Sequence, residues 1–328
     1  MYECKLYKKI ENDLVECTAC EFRCKIKHGD TGICGVRKNN NGKLILGVYA
    51  LPVSQNVDDV EKKPLFHFLP GTTTYSIGTV GCNFKCGFCQ NYDISQTKDF
   101  EGEDITPKLI VDEAVRNKCL SISYTYNEPT IWAEFAQETA EIAKEHGLKN
   151  IMVSNGYETK ETIDFMAPVI DAMNIDLKSM NNDFYVKNCK AMLQPVLDTI
   201  KYAKEKGIWI EITTLLIPGE NDSKEELEEI AKFISSIDKN IPWHITRFFP
   251  MFKMSHKDPT EMQSLYDAEG IGKKYLNYVY VGNIPREKST FCPECGKELI
   301  KRNDEINIRF EEDTCPECGC KIEGIWEL

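Results

Sequence analysis

The chain has 328 residues, of which 42% are apolar, 28% charged and 10% aromatic, a composition that excludes disordered and fibrous proteins. No run reaches the 18 or so apolar residues of a membrane span, and the opening Tyr2-Glu3-Cys4-Lys5 mixes charge with polarity instead of building a leader core, so a cytoplasmic protein is expected. Forty basic side chains against fifty-two acidic ones leave a net charge of −12, which disfavours bulk nucleic-acid binding.

Along the chain, residues 1–71 are turn-rich and carry five cysteines, four of them clustered, with Asn39-Asn40-Asn41-Gly42 resembling a hairpin tip. From Thr73 short β-rich runs alternate with helical stretches. Strands are expected over 75–80, 120–124, 150–154, 173–177, 209–217, 244–249 and 278–281, and helices over 129–146, 160–169, 183–206, 223–237 and 259–274. Ser223-Lys224-Glu225-Glu226 has the form of a capping box. Six or seven β/α units without antiparallel hairpins imply an α/β fold with a parallel sheet, either a partial barrel or a doubly wound sheet, with ligands at the carboxyl ends of its strands. From about residue 289 the composition turns to short charged runs bracketed by cysteine. The reading is therefore three units: 1–71, 72–288 and 289–328.

Fifteen cysteines exceed what a cytosolic chain needs, and disulfides do not persist in that compartment, so metal is the natural explanation for those that cluster. Cys4, Cys119 and Cys189 stand alone and read as small buried hydrophobes. Cys17, Cys20, Cys24 and Cys34 offer four thiolates to zinc or to an iron–sulfur cluster, and the spacing does not separate the two. Cys292, Cys295, Cys315 and Cys318 form two Cys-x2-Cys knuckles nineteen residues apart, a zinc-ribbon or rubredoxin-like pattern for zinc or iron, with Cys320 left over. The central set, Cys82, Cys86 and Cys89, holds only three thiolates. It needs either a remote fourth ligand for zinc or an iron–sulfur cube with one iron left open.

The spacing of Cys82, Cys86 and Cys89, with Phe88 just before the last, resembles the signature of the radical S-adenosylmethionine (SAM) superfamily. The resemblance implies a partial (β/α)6 barrel, a 4Fe-4S cluster on these three cysteines, and SAM chelating the open iron. Further marks follow at strand ends. Tyr126-Asn127-Glu128-Pro129 stands where the superfamily usually has Gly-Gly-Glu-Pro, implying that Asn127 and Glu128 hold the methionine amine. Ser154-Asn155-Gly156 and Asp176-Leu177-Lys178 resemble segments of glycyl-radical-enzyme activases, which implies ribose contacts from Ser154, Asn155 or Asp176 and a carboxylate contact from Lys178. Thr213 falls where activases carry another cofactor contact.

Longer blocks resemble the radical SAM component of the AmmeMemoRadiSam system, related to pyruvate formate-lyase activating enzymes. They include Glu61-Lys62-Lys63-Pro64-Leu65-Phe66-His67-Phe68-Leu69-Pro70-Gly71 and Pro242-Trp243-His244-Ile245-Thr246-Arg247-Phe248-Phe249-Pro250. The implied activity is reductive cleavage of SAM to a 5′-deoxyadenosyl radical, followed by hydrogen abstraction from a substrate that the residues do not name and that a protein would fit. A glycyl-radical-enzyme activase and a non-catalytic zinc scaffold are the alternatives. Implied partners are a reductant such as flavodoxin or ferredoxin, and AMMECR1-like and Memo-like proteins. Two polar residues on the sixth strand are candidate substrate contacts: Arg247 as a clamp for an anion and His244 as a proton donor, the alternative being an interior ion pair with Glu211. His67 reads as a structural hydrogen-bonder, and Lys25, Lys27, Arg37 and Lys38 as one basic patch.

Overall fold

The computed structural model describes every residue except Met1, Asn12, Lys98, Asp99, Glu101, Glu103 and Asp304. The amino-terminal part builds two small sheets from β1 (Tyr2–Glu3), β2 (Tyr7–Lys9), β3 (Val15–Cys17), β4 (Lys25–Ile26), β5 (Arg37–Asn40) and β6 (Lys43–Leu46), in the orders β1-β6-β5 and β2-β3-β4. The hairpin tip read at Asn39–Gly42 is there. Asn41 and Gly42 both take positive φ, the two-residue turn that matches strand twist.

The central sheet has eight strands: β7 (Ser54–Asp59), β8 (Thr73–Gly78), β9 (Ser121–Tyr124), β10 (Lys149–Ser154), β11 (Ala172–Asp176), β12 (Trp209–Leu216), β13 (Trp243–Arg247) and β14 (Val279–Gly282). They lie in the order β14-β13-β12-β11-β10-β9-β8-β7, and β8 to β14 are all parallel. The helices are α1 (Tyr92–Ser95), α2 (Pro107–Arg116), α3 (Ala133–Glu145), α4 (Lys160–Met166), α5 (Asn182–Phe184), α6 (Leu193–Glu205), α7 (Lys224–Ile237) and α8 (Met262–Gly272). Six strand-to-helix units therefore wind into a seventh strand, the partial barrel that was expected. The edges β14 and β7 do not pair with each other among the described residues.

Three local expectations change. The sheet is not purely parallel, because β7 runs antiparallel to β8 at its edge; its sequence, Ser-Gln-Asn-Val-Asp-Asp, is too polar to read as a strand. A helix that the pattern missed, α2, links β8 to β9. Its start is marked by Thr106, whose hydroxyl accepts from Leu109 N, and by Pro107 in the first turn, and it buries Ile110, Val111 and Ala114. The helix expected over 183–206 is broken into α5, a π-turn at Tyr185–Cys189 and α6, with Lys190 left-handed between them. The capping box forms only by half. Ser223 accepts from Glu226 N at 3.2 Å, but the Glu226 carboxylate turns instead to Ser179 and to Met180 N.

The amino-terminal sheets and the barrel share one apolar core. Arg37, 1% exposed, crosses between them: Nη2 meets Glu134 Oε2 at 2.5 Å, Nη1 meets Oε1 at 3.0 Å and Nε donates to Ile131 O at 2.8 Å. Arg37 therefore leaves the basic patch in which it was placed, since its guanidinium is spent inside the protein. At the amino ends of the strands, the segment 64–69 forms a floor. Glu211, inside the barrel, receives Phe66 N and His67 N, while Asn174 Nδ2 donates to Pro64 O.

The carboxyl-terminal part is a three-stranded antiparallel sheet, β15 (Thr290–Phe291), β16 (Glu298–Arg302) and β17 (Ile306–Ile308), with a small core of its own. It docks beneath that floor through paired backbone bonds, Leu69 N to Ile325 O and Ile325 N to His67 O.

Candidate functional site

The three-cysteine loop follows β8. Gly81 turns it at φ 87, and an added Cβ would lie 2.7 Å from Val36 and 2.8 Å from the Cys34 carbonyl, so only glycine permits this close packing on the amino-terminal sheets. From the far side the loop is held by the broken helix: Lys85 N donates to Cys189 O at 2.9 Å and Gly87 N to Asn188 O at 3.0 Å. The π-turn is what aims those two carbonyls at the loop, and π-turns recur at functional sites. Cys89 Sγ lies 3.2 Å from Ser95 Oγ on α1, and the Cys189 side chain lies beside Cys86.

These cysteines border a pocket of about 380 Å³ at the carboxyl ends of the strands, the place where barrels put their sites. Cys82, Cys86, Phe88, Cys89, Asn127, Glu128, Ser154, Asn155, Asp176, Lys178 and Thr213 all line it. Burial is deep, and the chemistry differs from one wall to another.

On one wall the buried Glu128 carboxylate accepts from Thr130 N at 3.0 Å, Thr130 Oγ1 at 2.6 Å, Ser154 Oγ at 3.0 Å and Asn155 N at 2.8 Å. Behind it stands a second buried carboxyl, Glu158, bridged to Glu128 by the Ser154 and Thr130 hydroxyls. Burial first, and then the charge of Glu158, push Glu128 up to about 7. A site with two close carboxyls and a raised affinity for protons is one that a cationic ligand group would relieve.

On the opposite wall Lys178 Nζ pairs with Asp176 Oδ2 at 2.7 Å and lies 5.9 Å from the Phe88 ring centre. Its backbone is fixed by Tyr185 Oη, which accepts Lys178 N at 3.0 Å. Burial opposes its charge, but Asp176 and the neighbouring thiols outweigh burial and hold it as a cation.

Several of the expected contacts are already spent. Asn127 uses its whole amide, with Nδ2 donating to Thr79 Oγ1 and Gly81 O and Oδ1 accepting from Thr79 N and Trp132 Nε1, so its side chain pins loops together at the pocket wall. The Ser154 hydroxyl is engaged by the two carboxyls. Two others remain open: Asn155 Oδ1 and Thr213 Oγ1 are buried at the wall without a hydrogen-bond partner. Such atoms are rare in folded proteins and ask for an accepting or donating ligand.

His244 and Arg247 do not line the pocket. His244 lies one interior layer lower, with Nε2 2.6 Å from Glu211 Oε2 and its ring against Phe66, which is the interior pair weighed from the sequence. Arg247 is on the other strand face, donating Nε to Thr260 O at 2.8 Å with its guanidinium over Phe249. Alternation turns Arg247 away, and depth separates His244 from Thr246, the residue on the same strand face that reaches the pocket.

Tyr126 takes φ 70 in the position where the resemblance has glycine, a conformation that is uncommon for a bulky residue. It is held there by Asp58 Oδ2, which accepts from its hydroxyl at 2.8 Å, and by Lys63, 4.8 Å from its ring centre. Lys63 and Pro64 form the bottom of the pocket. Lys63, Glu158 and Asn83 are not candidates for the site from sequence, and Cys189 reads there only as a buried hydrophobe, because the segments that carry them meet only in three dimensions.

Three thiols at a loop, two charged groups of opposite sign and two unpartnered polar atoms on the walls form a donor set that fits a cluster with one open iron and a zwitterionic cofactor. The four carboxyl-terminal cysteines also converge. Their sulfurs lie within 4.8 Å of one another, with Cys292 to Cys318 at 3.6 Å and Cys295 to Cys315 at 3.7 Å, a group compatible with a zinc ribbon.

A parallel partial barrel with a three-cysteine loop at its mouth defines a class of cluster-dependent α/β proteins. Comparison with known proteins narrows it. The profile of the Radical SAM superfamily matches residues 76–234. An uncharacterized protein of Methanocaldococcus jannaschii is 42% identical over 98% of this chain and 99% of its own length. Another protein of that organism, named as a putative glycyl-radical enzyme activating enzyme, is 32% identical over 61% of this chain and 77% of its own length. The crystal structure of Streptococcus suis SuiB bound to the precursor peptide SuiA shares the fold with a TM-score of 0.51 at 17% identity, covering 69% of this chain and 52% of that one. The chain belongs to the radical SAM superfamily, a family that implies a 4Fe-4S cluster and SAM.

Proposed function

We propose that this protein is a radical SAM enzyme whose pocket at Cys82, Cys86 and Cys89 binds a 4Fe-4S cluster and SAM and whose substrate is another protein. The observation that carries this reading is the convergence of the three thiols, Glu128, Lys178, Asn155 and Thr213 on one pocket. When bound, the cluster and SAM supply a 5′-deoxyadenosyl radical able to take hydrogen from an unactivated C–H bond. The chain's own residues bind and orient. The three thiolates hold three irons and leave the fourth open. Glu128 receives the methionine amine, which neutralises the stacked carboxyls, and Lys178 receives the methionine carboxylate. Asn155 Oδ1 and Thr213 Oγ1 are free to meet the nucleoside. Glu211, His244 and the 64–69 floor close the barrel beneath, keeping water from the radical.

A protein substrate is supported by the name of the activating-enzyme relative, and a flavodoxin- or ferredoxin-like reductant in the cytoplasm is part of the same proposal. AMMECR1-like and Memo-like proteins are the first partners to test. Within this chemistry the glycyl-radical activase is the second reading, and the same relative favours it. The experiment is anaerobic incubation of the iron-loaded protein with SAM, dithionite and fractions of a cell extract, reading 5′-deoxyadenosine. A fraction-dependent rise supports a substrate in that fraction, and a glycyl-radical signal on a partner chain identifies the activase. No cleavage of SAM under any reducing condition contradicts the proposal.

A further inference from the structure

The amino-terminal cysteines present a geometry unlike that of the ribbon. Cys17, Cys20, Cys24 and Cys34 line one cavity. A zinc ion holds four thiolates at about 2.3 Å, which draws their sulfurs together. The ribbon thiols are drawn together in that way. Among the described residues theirs is the only group of three or more potential ligand atoms gathered within 4.8 Å, so no three of the amino-terminal sulfurs close on a point. They stand around a gap instead.

A second observation comes from the other side of the cavity. Asn83, 1% exposed, also lines it. Asn83 Oδ1 accepts from Asn155 Nδ2 at 2.8 Å, which turns Asn83 Nδ2 the opposite way, beside Cys20. That nitrogen is buried and faces the Cys20 sulfur. Sulfur atoms of a cluster would accept from it. Asn83 is also the residue after Cys82, and Gly81 packs on the Cys34 carbonyl, so the walls of the two cysteine sites touch.

We propose that Cys17, Cys20, Cys24 and Cys34 hold an iron–sulfur cluster, not zinc, and that it relays single electrons to the central site across Asn83. A low-potential protein donor of the ferredoxin or flavodoxin class loses one electron to this cluster, which returns to its oxidised state on passing the electron inward. The relay rests on the radical SAM reading above, whereas the cluster itself does not. Half-exposed Ile33, at the cavity's outer wall, marks the side from which a donor would approach.

The test uses the full chain carrying Cys82→Ala, Cys86→Ala and Cys89→Ala, isolated without oxygen and assayed for iron, acid-labile sulfide, zinc and the EPR of the reduced protein. The expected result is a brown protein that keeps roughly half of the wild-type iron and sulfide. A colourless variant without sulfide and with two zinc ions per chain overturns the proposal. If the triple variant does not accumulate, the wild-type protein answers by EPR with and without SAM. Two reduced populations, one shifted by SAM and one not, are expected; a single population, fully shifted, overturns the proposal. Two populations that both ignore SAM would instead count against the central reading while leaving this cluster in place.

Discussion

Glu128 is where the two oppositely charged ends of the pocket are most directly tested. Its carboxylate is held by four donors and pressed by Glu158, so it is built to meet a cation. Replacing it with glutamine removes the charge but keeps the shape, and a lost charged hydrogen bond is worth about 1.5–3 kcal/mol, so SAM should bind roughly 10- to 100-fold more weakly by equilibrium dialysis. The pH dependence follows from the raised affinity for protons. Below about pH 7 Glu128 is protonated and cannot hold an ammonium group, so wild-type SAM affinity should rise as pH passes upward through 7. Glu158→Gln removes the neighbouring charge and should move that rise to lower pH. Thr213 gives an independent check. Because its buried hydroxyl has no partner in the ligand-free fold, Thr213→Val should leave the unliganded protein as stable or slightly more so, yet weaken SAM binding by about 0.5–1.5 kcal/mol. An unchanged affinity would remove Thr213 from the site.

How legible these residues were depended on where their partners lie. Cys82, Cys86 and Cys89 lie in one contiguous motif, and Glu128, Asp176 and Lys178 lie at or soon after a strand end, which is how a sequence reading reaches residues that line one pocket. Glu158 carries no signal in the sequence, although it is buried against Glu128 with its backbone bridged to Cys20. Asn127 is expected at the cofactor because the motif includes it, and its side-chain amide is used by Thr79, Gly81 and Trp132, which leaves that contact to its backbone. His244 and Arg247 were assigned to the right strand, but alternation and depth send one below the pocket and the other outside it.

At the scale of elements, the amino-terminal sheets are fixed to α3 by a buried ion pair. Arg37 and Glu134 are both essentially inaccessible, and Glu134 also accepts Lys5 N and Leu6 N. Removing one partner strands the other charge, so Arg37→Met should cost about 3–5 kcal/mol in denaturant unfolding. Arg37→Met combined with Glu134→Leu should recover much of that loss, because the pair is replaced by apolar packing. Equal losses in the single and double variants would contradict this account of the junction. The parallel strands were readable from their apolar β-rich runs. Elements such as β7 and the π-turn were not: the first is a polar edge strand, and the second is imposed by the loop amides it must satisfy.

At the scale of the whole molecule, the ribbon hangs from the barrel floor by a chain of hydrogen bonds through one histidine. Arg302 Nη1 donates to Thr290 Oγ1 at 2.7 Å, the Thr290 hydroxyl meets Tyr280 Oη at 2.7 Å, Tyr280 meets His67 Nε2 at 2.7 Å, and His67 Nδ1 meets Glu323 O at 2.8 Å. A carbonyl can only accept, so Nδ1 carries the proton and Nε2 accepts from Tyr280. The chain needs neutral histidine, and burial pushes His67 down to about 4. A folded-state value below the ordinary 6.5 means that this stability is complete above 6.5 and is lost as pH falls toward 4, by about 3 kcal/mol in all. His67→Gln should flatten that part of the stability-versus-pH curve, measured by thermal melts between pH 4 and 7. The reading of three units rests on cysteine spacings and composition that change along the length. The welding of the parts is not legible there, because it runs through Arg37, His67 and backbone pairs that carry no local signal.

The central claim is that the open corner of a cluster on Cys82, Cys86 and Cys89 receives SAM, with Glu128 and Lys178 gripping its methionine end. EPR of the reduced, oxygen-free protein tests it most directly, comparing the wild type with Cys86→Ala before and after SAM is added. The account predicts a cluster signal that SAM reshapes in the wild type, accompanied by 5′-deoxyadenosine, with both effects abolished in the variant. A wild-type signal indifferent to SAM, or one that Cys86→Ala leaves intact with its SAM response, would contradict it.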